Sequence, residues 1–107
     1  MMTATFFRDP EKRIVGFQIS GHSSYGEAGT DIVCAAVSAL AQNTVNSIEI
    51  LTGDEPEALA VNEEEGFMHY RLKQVSENSG LLLRSLQIGL ESVRASYGEP
   101  KIHFQEV

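Results

Sequence analysis

Apolar and polar positions alternate along the first part of the chain. Thr3 to Arg8 is β-branched and aromatic, and from Arg13 to Ser20 the alternation puts Val15, Phe17 and Ile19 on one side, with Ile14, Gly16 and Gln18 on the other. Asp9-Pro10-Glu11-Lys12 between them is turn chemistry, so the two runs are predicted to pair as a hairpin. The period then changes. Val33, Val37, Leu40, Ala41, Thr44, Ile48 and Leu51 fall on one helical face, which predicts a helix from Val33 to about Leu51 that ends before Gly53. Glu57 to Val61 and Phe67 to Val75 read as a second strand pair around Glu63-Glu64-Glu65-Gly66, with Met68, Tyr70 and Leu72 on one face and His69, Arg71 and Lys73 on the other. A second helix is predicted from about Ser79 to Tyr97, striped by Leu82, Leu86, Leu90, Val93 and Tyr97 and stopped by Gly98 and Pro100. A last short strand, Lys101 to Glu106, is expected to bury Ile102 and Phe104.

The resulting order is β-β-α-β-β-α-β. Two hairpins with interposed helices predict an α+β fold: one mixed, largely antiparallel sheet with two main helices on one face. With 107 residues, 42% of them hydrophobic, residues 1–107 are expected to form a single domain. A domain of this size buries roughly 65% of the surface its unfolded chain exposes, enough for a core without disulfide or metal staples. The first helix carries Ala35, Ala36, Ala39 and Ala41 on more than one side, which suits close packing against a second copy of the chain.

Charge narrows the range of partners. The net charge is −7, with 15 acidic residues against 8 Lys and Arg, and no Lys or Arg occurs between Arg13 and Arg71. A nucleic-acid binder needs cations to neutralise phosphates, so direct DNA or RNA binding is not expected, and a basic protein or peptide fits better. The single cysteine cannot form an internal bridge, and the start of the chain lacks a basic stretch leading into a long apolar run. The chain is therefore read as cytoplasmic and mature as written, and no stretch has the length to cross a bilayer.

Candidate chemistry concentrates in one stretch, Gly21-His22-Ser23-Ser24-Tyr25-Gly26-Glu27-Ala28-Gly29-Thr30-Asp31-Ile32-Val33-Cys34-Ala35-Ala36-Val37-Ser38. It leaves a strand at His22, crosses a polar loop and enters a helix whose first turn is expected to hold Cys34. With Asp31 as N-cap, Cys34 would be the third helical residue, where unpaired amides and the helix dipole favour thiolate over thiol. His22 could take the thiol proton as a base and return it to a leaving amine as an acid. Backbone amides at the same helix start could stabilise a tetrahedral oxyanion. The competing reading of Cys34 is a small buried hydrophobe in an Ala-Val helix, and that of His22 is a hydrogen-bonded surface residue at a strand end. Asp31 either caps the helix or orients His22 or a substrate amide. Ser38, one turn beyond Cys34, either supports the site or bonds back to the helix carbonyls. Gly26 and Gly29 are turn formers or hinges of a mobile lid. His69 and His103 are placed on solvated strand faces.

Two other chemistries fit the residues poorly. Gly21 and Gly26 have the glycine spacing of a phosphate-binding loop, but Glu27-Ala28 stands where Lys and Ser or Thr are required. Zinc needs three or four ligands, and His22 with Cys34 supplies two, so no metal or cofactor is expected.

The run from Gly21 to Leu40, with Gly-His at a strand end, glycines across the loop and Asp31-Ile32-Val33-Cys34-Ala35-Ala36-Val37-Ser38 opening a helix, resembles the signature of the ribosomal-processing cysteine protease family Prp. Length, the two hairpins and the Leu-rich second helix extend the resemblance over most of the chain. It implies a cytoplasmic endopeptidase that removes a short N-terminal extension from a large-subunit ribosomal protein precursor. It also implies a homodimer, with Cys34 as nucleophile, His22 as base, a mobile loop over residues 23–30, and aromatic residues just before the cut. The alternative is a redox or thiol-sensing, ribosome-associated binding module without peptidase activity. A further class is a ribosome-associated interaction domain in which Cys34 is structural.

Overall fold

The computed structural model describes residues 2–21, 30–97 and 102–107. Five strands, β1 (Met2–Arg8), β2 (Ile14–Ser20), β3 (Pro56–Asn62), β4 (Phe67–Leu72) and β5 (Ile102–Glu106), form one sheet in the order β3-β4-β2-β1-β5. β5 runs parallel to β1 and the other neighbours are antiparallel, so the sheet is mixed and largely antiparallel, as the sequence predicts. Two helices complete the fold, α1 (Thr30–Ser47) and α2 (Glu77–Tyr97). Among the described residues no helix is long and apolar enough to cross a membrane.

A single core lies between the helices and one face of the sheet. Period-2 alternation sends Met2, Ala4 and Phe6 of β1 and Met68, Tyr70 and Leu72 of β4 into it. There they meet Val33, Val37 and Ala41 of α1 and Leu83, Leu86 and Leu90 of α2. Because both helices feed the same cluster, both cover the same face. The opposite face carries Thr3, Phe7, Gln18, His69 and Arg71. His69 is not solvated as predicted: it is half-buried, its Nδ1 lies 3.0 Å from Gln18 Oε1, and its ring packs on Phe7 with centroids 5.3 Å apart.

Three departures from the predicted pattern have local causes. The β1–β2 register slips between Phe7 and Arg8, so that Phe7 faces Gly16 while Arg8 faces Ile14, and Val15 is the extra residue of a bulge. The inserted residue reverses the alternation, so Ile14 joins Phe17 and Ile19 in the core cluster, while Val15, also buried, stands outside it. Secondly, α1 runs into a π-helical turn, Ile48–Thr52, closed by Gly53 in a left-handed conformation (φ 74°) with its N–H donating to Ile48 O at 3.1 Å. The wider turn rotates the last residues out of phase with the stripe, and Leu51, predicted to be buried, is 71% exposed. Finally, Tyr97 lies at the open end of α2 and is exposed, while Leu83 takes a fully buried place in the stripe. Gly98, Pro100 and Lys101 lie outside the described residues.

Candidate active site

α1 begins at Thr30, so Cys34 is its fifth residue and Asp31 lies within the first turn instead of preceding it as N-cap. A helix leaves its first four amides without intrahelical acceptors. That set ends at Val33, one residue before the cysteine, so Cys34 is one turn into the helix and its own amide is not among the orphaned donors. The Cys34 side chain is half-buried and packs against the core, with Sγ 4.0 Å from Met2 Sδ at the start of β1.

Beside it opens a cavity of about 250 Å³. Met2, Ile19, Met68 and Val61, from four different strands, line it from the sheet. Cys34, Ser38, Ala41 and Gln42 line it from α1, Glu63 and Gly66 from the β3–β4 turn, and Phe67 from the start of β4. Ser38 is exposed and follows Cys34 by one turn, so both residues present to the same cavity. His22, Gly26 and Gly29 lie outside the described residues, and of Asp31 only the place in the helix is described. The cavity thus joins two of the residues singled out in the sequence, Cys34 and Ser38, to a set that sequence reasoning missed. Alternation predicts that Met68 and Ile19 point inward. It gives no sign that they lie side by side in neighbouring strands beneath the start of α1.

An arrangement of this kind offers a thiol at the end of an apolar trough, where an extended chain can lay its side chains against hydrocarbon while its backbone passes the sulfur. Among its described lining residues, Glu63 is the one acidic or basic side chain.

Comparisons with known proteins point to one family. The family model for cysteine protease Prp matches residues 1–102. The ribosomal processing cysteine protease Prp of Bacillus subtilis strain 168 is 30% identical over 102 residues, which cover 91% of this chain and 90% of that protein. Among solved structures, the ribosomal processing protease Prp of Staphylococcus aureus in complex with a covalently linked product peptide superposes with a TM-score of 0.87 at 27% identity, over the whole of both chains. The same protein in complex with a substrate peptide gives 0.87 at 26% identity, again over the whole of both chains. The chain belongs to the Prp family of cysteine proteases.

Proposed function

We propose that the chain removes a short N-terminal extension from a basic large-subunit ribosomal protein precursor in the cytoplasm, with Cys34 as nucleophile and His22 as general base and acid. The observation that carries this reading is the placement of the chain's single cysteine at the end of an apolar trough in the first turns of α1. The covalently linked product peptide of the Staphylococcus aureus relative supports it. His22 removes the Sγ proton as sulfur attacks the scissile carbonyl carbon, and the tetrahedral oxyanion collapses to a thioester. As the C–N bond breaks, the same imidazole protonates the departing amine. Water, deprotonated by His22, then hydrolyses the thioester and regenerates the thiol.

The remaining residues take supporting roles in this reading. Gly26 and Gly29 support the bound substrate, Asp31 orients the base or a substrate amide, and Ser38 contacts the bound chain beside Cys34. The apolar lining suits aromatic residues just before the cut. Residues 1–107 act as one domain and two copies pair, for which the exposed Ala35 and Ala39 of α1 give a small-residue surface. The precursor is engaged as a protein, without direct nucleic-acid contact.

A peptide spanning the extension and the mature start of such a ribosomal protein tests the proposal. Mass spectrometry of the products is expected to show a single cut by the wild-type chain. No cut is expected from Cys34→Ala with an unchanged far-ultraviolet spectrum, and the rate is expected to fall by about 10²–10⁴ in His22→Ala. Full activity in Cys34→Ala would refute it.

A further inference from the structure

The Cys34 trough runs across the strands, and its far end holds a charged residue that the proposed chemistry does not use. Cys34 stands over β1 at Met2. From β2 the strand register then steps outward, Ile19 facing Met68 of β4 and Met68 facing Val61 of β3, and all three residues line the same cavity. With strands about 4.8 Å apart, the three steps from β1 to β3 cover about 14 Å, the reach of about four residues of extended chain. Just past Val61, where β3 turns back, lies Glu63. The turn is pinned, with Gly66 N–H donating to Glu63 O at 3.2 Å and Glu65 N–H donating to Asn62 Oδ1 at 3.2 Å. The backbone of Glu63 is thus fixed in the turn, and the residue lines the cavity together with Val61 and Phe67.

From this geometry we infer that Glu63 determines specificity, favouring substrates with Lys or Arg about four residues from the scissile bond. The inference rests on the reading of Cys34 as the nucleophile. A long cationic side chain can lay its methylenes along Val61 and bring its charge to Glu63. Because Glu63 is exposed, the gain is that of a solvated ion pair, about two- to fivefold in kcat/KM, and added salt weakens it.

The test uses peptides across one cleavage junction, with either Lys or Gln placed in turn at each of the five positions on both sides of the cut. The Lys-to-Gln ratio of kcat/KM is taken within each enzyme, so that any general loss of activity in a variant cancels. In the wild type the ratio is expected to exceed about twofold at one position about four residues from the cut, to approach unity in Glu63→Gln, and to fall below unity in Glu63→Lys. A ratio that neither variant changes at any position overturns the assignment of Glu63 and leaves the cysteine protease reading standing. Failure of the wild type to cut any of the peptides overturns that reading as well.

Discussion

Asp54 ties the end of the first helical segment to the start of the second. Its Oδ2 accepts hydrogen bonds from Ser76 Oγ at 2.6 Å, Ser79 Oγ at 2.5 Å and Ser76 N at 3.1 Å. Ser76 is also the N-cap of α2, its Oγ accepting from Ser79 N at 3.1 Å, so one carboxylate fixes the cap that starts the helix. The Ser76 hydroxyl first, then that of Ser79, holds the Asp54 carboxyl below its ordinary value of 3.8, against the opposing effect of burial. The folded chain therefore binds this proton less tightly than the unfolded chain does. The stabilisation is fully present above the unfolded value, about pH 4, and is lost as pH falls through the lower folded value. Asp54→Asn is expected to melt below the wild type at pH 7, and the gap is expected to narrow at pH 3. Thermal unfolding at both pH values checks this, and an equal gap at the two would contradict it. Burial first, then the charges of Asp54 and Glu49, pushes the Tyr70 phenol up to about 12, so its hydroxyl stays neutral within the core.

At the scale of elements, β2 and β4 approach so closely at Gly16 that a Cβ there would stand 2.3 Å from Tyr70 O and 2.8 Å from Arg71 Cα. Both are backbone atoms, so the strands themselves must part to admit a methyl group. Gly16→Ala is expected to cost about 1–3 kcal/mol, read from the urea midpoint at constant slope, and an unchanged midpoint would contradict the close pairing. Every strand and both helices were legible in the sequence, because period 2 along β4 and period 3.6 along α2 are strong signals carried by residues such as Met68, Tyr70, Leu86 and Leu90. The bulge at Val15 and the π-helical turn at Ile48–Thr52 were not, since each adds one residue to a repeat without changing its composition. The same limit applies to the site. Cys34 and Ser38 share a helix, and their spacing puts them on one side of it. The trough beneath them takes Met2, Ile19, Met68 and Val61 from strands far apart in sequence, and strand order, which brings them together, leaves no mark in local spacing.

Across the whole molecule, the net charge of −7 suits the proposed basic substrate, and the first encounter with it is expected to be sensitive to ionic strength. The proposed pairing of two copies predicts a sedimenting mass close to twice 11.7 kDa at micromolar concentration, and a mass of one chain at all concentrations would rule it out. The central claim, that peptide cleavage runs through the sulfur of Cys34, has a direct test because the chain contains only one cysteine. Iodoacetamide is added in steps, and for each sample intact mass gives the fraction of chains carrying one label while peptide cleavage gives the remaining activity. Activity is expected to fall in proportion to the label and to vanish at one label per chain on Cys34. A fully labelled protein that still cuts the peptide would contradict it.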